Sequence, residues 1–230
     1  MNMPDWQWDE MQQVGVDYTD IAEVESYDNR MAKLRDVDAE NSEMLQIMDL
    51  PAGAKVLEIG CGTGRFARAA AKAGYDVTAV DVSKVMLEYV ESKIENQSGV
   101  IKTKHAGFLT MDFQEDSFDA VVSGLALHHL PDVWKYAALL NIAKVLKNGG
   151  EFILRDVVFV CEENQRPEVC MDNFVEVVPG AMRQASAKHA ATEFSTYDWI
   201  MEGLIERAGF EIISETNPSG FLAVYHCRRR

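Results

Sequence analysis

At 230 residues, 47% of them apolar, the chain can enclose one full core with room for a small appendage, and it contains no repeats or low-complexity tracts. Its formal net charge of −15 argues against nucleic acid and anionic membrane as partners, since gripping either needs a basic face. The only basic cluster, Arg228-Arg229-Arg230, reads as a solvated tail.

No apolar run is long enough to span a membrane, and Met1–Trp6 has neither the basic region nor the apolar core of a secretory leader. The cysteines, Cys61, Cys161, Cys170 and Cys227, show no metal spacing and no framework density. Free thiols in a reducing cytoplasm are the expectation.

Residues 1–50 read as helical and polar, with Trp6, Trp8, Tyr18 and Tyr27 as aromatic punctuation. Ile21, Val24, Met31 and Leu34 form one apolar stripe and Met44, Leu45, Ile47 and Met48 a second, the latter capped by Asn41 or Ser42 and ended by Pro51-Ala52-Gly53. This part is expected to pack as a cap beside a main sheet. From Lys55 strands and helices alternate: strand Lys55–Ile59, helix Arg65–Ala73, strand Asp76–Val80 ending in Asp81, then a Ser83-capped helix to about Ile94. A weak strand Val100–Thr103 and a buried strand Phe118–Ser123 follow. A helix opened by Pro131 or Asp132 runs through Leu146, closed by Lys147–Gly150, and strand five is Glu151–Val158. The alternation implies a mainly parallel sheet with right-handed crossovers. Residues 161–194 break it with a helical segment near Glu168–Val178 and a turn at Pro179-Gly180. A helix Ser195–Ala208 and a closing hairpin, Phe210–Thr216 with Phe221–Cys227, complete the chain.

The most informative stretch is Val56–Gly64, a buried strand running into Gly60-Cys61-Gly62-Thr63-Gly64. A glycine-rich turn feeding a helix N-terminus is where nucleotide-like ligands sit in open α/β sheets. Two readings are open. Gly62–Ala67 fits the dinucleotide fingerprint G-x-G-x-x-[GA], with Asp81 at the distance of a ribose-binding acid, which would suit NAD. Alternatively the loop holds S-adenosylmethionine.

Four segments in order favour the second reading. Leu57–Gly64, Val80–Ser83 with Met86-Leu87, Ser117–Ser123 with Ala126–Leu130, and Val145–Gly150 resemble the motifs of class I S-adenosylmethionine-dependent methyltransferases, covering residues 55–158. The resemblance implies an α/β, Rossmann-like fold: a seven-stranded, mostly parallel sheet with helices on both faces and the last strand antiparallel. The N-terminal helical cap adds to it. The division expected is a single domain with a cap at 1–50, a core at 51–160 and 195–230, and an insert at 161–194 near the acceptor pocket. An NAD-dependent oxidoreductase would need a substrate domain for which little chain remains. A non-catalytic S-adenosylmethionine-binding protein is the third reading.

Site roles follow from the resemblance. Backbone groups at Gly60, Cys61, Gly62 and Gly64 would face the methionine part of the cofactor, with Glu58 orienting the loop. Asp81 would accept two hydrogen bonds from the ribose or, failing that, serve as a helix cap. Val82 and Met86 would pack on the adenine, and Ser123 and Leu125 complete the implied set. Relatives often carry an acid ten positions before the serine of Ser117-Phe118-Asp119. Here that position is Gly107, so adenine recognition would fall to backbone groups along Gly107-Phe108-Leu109 and to packing by Phe108, with Asp112 a surface residue.

Methyl transfer is an in-line displacement, and a general base is needed only if the acceptor still carries a proton. His128 is the candidate base, the alternative being a hydrogen-bond network of His128 and His129 at the helix start. Arg155 and Asp156 could bind a polar acceptor or form a structural pair. Ser123–Ala126 lacks the Asp/Asn-Pro-Pro-aromatic signature of adenine amino methylation, and no Pro-Cys nucleophile follows. A small-molecule acceptor is therefore expected, with no metal. Its pocket would draw on Trp6, Trp8, Tyr18, Tyr27, Met171, Phe174 and Met182, under a cap able to close over the cofactor.

Overall fold

The computed structural model describes residues 4–12, 18, 20–33, 35–94, 99–178, 180 and 183–230. Leu34, Pro179 and Met182 lie outside the described residues. The first regular element among the described residues is helix α1, Ile21–Met31, whose Ala22 amide donates to the Asp20 side chain. Residues 4–12 form turns rather than the expected helix. Helix α2 is Val37–Met48, and its cap is Asp36, not Asn41 or Ser42. Asn41 lies inside the helix and is buried.

The central sheet is built from β1 (Lys55–Ile59), β2 (Asp76–Asp81), β3 (Ile101–His105), β4 (Phe118–Gly124), β5 (Leu146–Phe159), β7 (Phe210–Thr216) and β8 (Leu222–Arg229), in the order β3-β2-β1-β4-β5-β8-β7. The strands from β3 across to β5 are mutually parallel, and β8 runs antiparallel to both its neighbours. A two-residue strand β6, Thr196–Tyr197, also pairs with β5 and occupies the start of the expected helix, which begins only at Asp198. Helices α3 (Arg65–Lys72) and α4 (Lys84–Ser92) join α2 on one face, where Met44, Met48, Phe66, Ala70 and Val90 pack on Val56, Val77 and Val122. Helices α5 (Asp132–Val145) and α8 (Asp198–Arg207) cover the other, where Leu139, Ile142, Met201 and Ile205 pack on Leu57, Val121 and Phe152. Val56, Leu57 and Ile59 are all fully buried, as expected of a strand covered on both faces.

Strand β5 starts at Leu146, which pairs with Phe118. The register then shifts so that Glu151 pairs with Ala120, and residues 147–150 bulge out instead of ending the helix separately. The insert contains α6 (Pro167–Val177) and also α7 (Arg183–Thr192), a helix without an apolar stripe. Phe174 of α6 packs with Val157 and Phe159 at the end of β5. Cys161 and Cys170 form a disulfide, their Cα atoms 6.4 Å apart, whereas Cys61 and Cys227 are free and buried. The expectation of four free thiols fails because the chain leaving β5 turns back along α6. The C-terminal arginines are not simply a tail either: β8 runs to Arg229, which binds Asp116 and the Leu146 carbonyl.

Candidate functional site

The carboxyl ends of β1, β2 and β4 meet the glycine loop. Leaving Ile59, the chain turns at Gly60 with φ +74°, and the Gly60 and Cys61 amides both donate to the Val80 carbonyl, at 2.9 and 3.0 Å. A Cβ on Gly60 would lie 2.3 Å from the Ala126 Cβ, so strand end and following loop touch through the missing side chain. Asp81, the last residue of β2, is buried, and each of its oxygens accepts one amide: Oδ2 from Gly62 and Oδ1 from Ser83, both at 2.8 Å. The capping duty belongs to Ser83, whose Oγ accepts from the Met86 amide at 3.2 Å and donates to the Tyr18 carbonyl at 2.6 Å. Glu58 is buried beside the loop, its Oε2 without a hydrogen-bond partner among the described residues. Burial, reinforced by the Asp81 charge, pushes its pKa up to about 8 against the opposing Ala67 amide. Burial raises Asp81 as well, opposed by the Ser83 and Gly62 amides.

Gly60, Gly62 and Asp81 border a cavity that is partly open to solvent. Of the residues expected at a cofactor, Gly60, Gly62, Asp81, Val82, Met86, Gly107, Phe108 and Leu125 line it. Glu58 and Cys61 line an adjoining cavity that shares the Gly60 and Gly62 wall and holds Arg35, Asn41 and Arg155. Gly64, Leu109 and Ser123 line neither. Gly64 is the N-terminal cap of α3, Ser123 is fully buried and donates to the Ile59 carbonyl at 3.0 Å, and the Leu109 amide donates to Glu10. Glu10 was not anticipated: it lies a hundred residues before the loop it touches, and no local pattern marks it.

Among the aromatics expected at an acceptor pocket, Tyr18 and Tyr27 line the main cavity. Trp6 stacks on Trp134 at 6.1 Å and Trp8 meets Phe194 edge-on at 5.4 Å, while Met171 and Phe174 belong to the cluster at the end of β5. Arg155 pairs with Glu40 at 2.9 Å and not with Asp156, because neighbours on a strand point to opposite faces.

Asp156 instead faces His128. The buried His128 ring pairs with Asp156 through Nδ1 and reaches Glu193 Oε2 through Nε2 at 3.1 Å. His189 contacts the same Glu193 oxygen at 2.7 Å. Burial alone would lower the His128 pKa, but the Asp156 charge and the two carboxylate hydrogen bonds lift it to about 9. Burial likewise works against Asp156, yet the His128 imidazolium holds its carboxyl below the ordinary range. With both ring nitrogens engaged by carboxylates, His128 stands behind the cavity wall. His129 is the histidine that lines it, and burial together with the neighbouring His128 charge lowers its pKa to about 4. Ligand-type atoms of His128, His129 and Glu193 lie within 4.8 Å of one another, close enough to hold a cation. The sequence, where Glu193 is remote from the histidine pair, gives no sign of this grouping. The Glu193 oxygen is here shared between His128 and His189.

The sign of the His128 effect is testable. A histidine pKa raised in the fold contributes stability fully present below 6.5 and lost as pH rises through about 9. The difference corresponds to about 3 kcal/mol, or roughly 6–12 °C in melting temperature for a chain of this size. Glu58 titrates in the same window, its ionisation also destabilising, so wild type must be compared with His128→Gln. The gap between their melting curves should be widest near pH 6 and close by pH 9.5; a gap independent of pH would show that His128 carries no extra proton.

A family model described as a methyltransferase domain matches residues 56–150. A demethylmenaquinone methyltransferase of Bacillus licheniformis is 31% identical over 173 residues, covering 73% of this chain and 69% of that protein. The chain belongs to the class I S-adenosylmethionine-dependent methyltransferases. A demethylmenaquinone methyltransferase of Bacillus subtilis is 27% identical to this methyltransferase over 205 residues, covering 79% of this chain and 82% of that protein. Two solved structures share its fold: YcgJ from Bacillus subtilis (TM-score 0.62, 18% identity, 84% of this chain and 99% of that one) and an S-adenosylmethionine-dependent methyltransferase from Mesorhizobium loti (TM-score 0.60, 18% identity, 81% and 96%). The nicotinamide reading of the loop is thereby set aside. The site suits the cofactor on its own terms, since Asp81 and the buried Glu58 Oε2, with no partner among the described residues, place acceptors beside the glycine loop for hydroxyl and ammonium donors. Among the described residues, no helix of the methyltransferase is long and apolar enough to cross a membrane.

Proposed function

We propose that this methyltransferase passes the methyl group of S-adenosylmethionine to a small, largely apolar molecule. The observation that carries the reading is the cavity wall beyond Gly60, lined by Leu125, Ala126, Leu130, Tyr18 and Tyr27, with His129 as the one imidazole among the described lining residues. The relatives named for demethylmenaquinone support an acceptor of this character, and the acidity of the chain argues against a phosphate-backbone one.

The cofactor supplies a methyl group on a positively charged sulfur. In this reading the backbone of the glycine loop and Glu58 face its methionine part, Asp81 its ribose, and Val82, Met86 and Phe108 its ring. His129, neutral above about pH 5, takes a hydrogen bond from an acceptor hydroxyl and orients it. His128, locked between Asp156 and Glu193, positions the loop that carries His129. The test is a labelled-methyl assay on a cell extract separated into lipid, polar-metabolite and protein fractions. Label is expected in the lipid fraction, falling at least tenfold with His129→Ala while cofactor affinity stays within about threefold. Label confined to protein, or none at all from a chain that still binds cofactor, would overturn the proposal.

A further inference from the structure

We propose that Glu10 is the residue that recognises the adenine of the cofactor, so that the site is incomplete without the segment preceding α1. This rests on reading the main cavity as the cofactor site.

Glu10 sits in a turn, 7% exposed, and lines that cavity. A buried carboxylate is costly unless donors surround it. One oxygen is well provided for: Oε1 accepts from the Leu109 amide at 2.9 Å, the Thr110 amide at 2.7 Å and the Thr110 hydroxyl at 2.7 Å. Oε2 is equally buried and has no hydrogen-bond partner among the described residues. An orphaned acceptor at a cavity wall calls for a donor from whatever fills the cavity.

Gly107 explains how the carboxylate comes to be there. A Cβ on Gly107 would fall 2.4 Å from Oε2 and 2.5 Å from Cδ of Glu10. The Glu10 carboxylate thus stands where a side chain at 107 would begin, and it caps the turn in which the Met111 amide bonds the Gly107 carbonyl. The local wall is an apolar slot of Met86, Ala106 and Phe108, suited to a flat ring. Adenine offers only acceptors along its ring and one donor, the exocyclic amine. That amine is the group Oε2 lacks, whereas hypoxanthine presents a carbonyl oxygen in its place, which a carboxylate repels.

The experiment compares S-adenosylhomocysteine with S-inosylhomocysteine on the full chain by titration calorimetry, with melts of each unliganded variant to separate loss of folding. Wild type is expected to prefer the adenine compound by roughly 10–100-fold, the worth of one charge-assisted hydrogen bond. In Glu10→Gln an amide can donate to the 6-oxo group, and the preference should fall to within about threefold. Glu10→Ala should lose it too, and Glu10→Ala with Gly107→Asp should regain it, since the carboxylate then enters the same space from the loop. A Glu10→Gln protein with the wild-type ratio would reduce Glu10 to a clamp on the loop. A Glu10→Ala protein that binds S-adenosylhomocysteine more tightly would make it a plug, and equal wild-type affinities would also overturn the inference. Wild type binding neither compound would instead sink the assignment of the cavity.

Discussion

Asp81→Ala should weaken S-adenosylmethionine binding by roughly 100-fold or more. Each carboxylate oxygen of Asp81 takes one backbone amide, from Gly62 and Ser83, and keeps one further acceptor site. Two remaining sites on one planar group match a vicinal diol. Charge-assisted hydrogen bonds contribute about 1.5–3 kcal/mol each, and 100-fold is about 2.7 kcal/mol, so losing the pair reaches that figure without any other change. The loop also loses its tie to β2, so some loss of stability accompanies the variant. Calorimetric titration beside an unliganded melt separates the two effects. Asp81→Asn, which keeps one acceptor oxygen and the volume, should fall in between. An Asp81→Ala protein that binds cofactor within about threefold of wild type would confine Asp81 to holding the loop.

The second large effect is on the fold. Gly60→Ala should cost roughly 2–6 kcal/mol, from about 1–3 kcal/mol of backbone strain at φ +74° plus a similar amount for forcing Cβ against Ala126 at 2.3 Å. The melting temperature should drop by roughly 4–24 °C. Because the clash is with one methyl group, Ala126→Gly in the same chain should return the steric part and leave the strain. A Gly60→Ala protein as stable as wild type, or one that Ala126→Gly does not help, would show that the loop relaxes freely.

The parts of the site legible in the sequence are those whose contacts are local. Strand, glycine turn and helix from Lys55 to Lys72 follow from apolar runs and glycines within eighteen residues, and Asp81 and Ser83 close the next strand in the same way. What the sequence hid joins distant segments. Glu10 reaches a loop 99 residues away, and Glu193 reaches the His128 pair from the insert. An acid missing at Gly107 reads as a gap in adenine recognition until the fold brings a carboxylate from elsewhere into the same space. Helix α7, Arg183–Thr192, escaped notice because its alanines and polar residues form no apolar stripe, and its contacts with α6 give it its place. The Cys161–Cys170 pair was hidden because a spacing of nine becomes a pairing only once α6 folds back. His128 illustrates a different limit: residue type suggests a base, but its partners Asp156 and Glu193 hold its proton.

The position of β8 bears on how the chain comes together during synthesis. This strand is the last in sequence but lies inside the sheet, between β5 and β7. Until it arrives, β5 presents an open row of amides and carbonyls beside β4, and β7 has no neighbour to pair with. Ribosome-bound chains shorter than Leu222 therefore expose a long, apolar edge, the kind of surface that recruits chaperones or a second nascent chain. Arg229, bound to Asp116 and to the Leu146 carbonyl, ties the end of β8 to the start of β5.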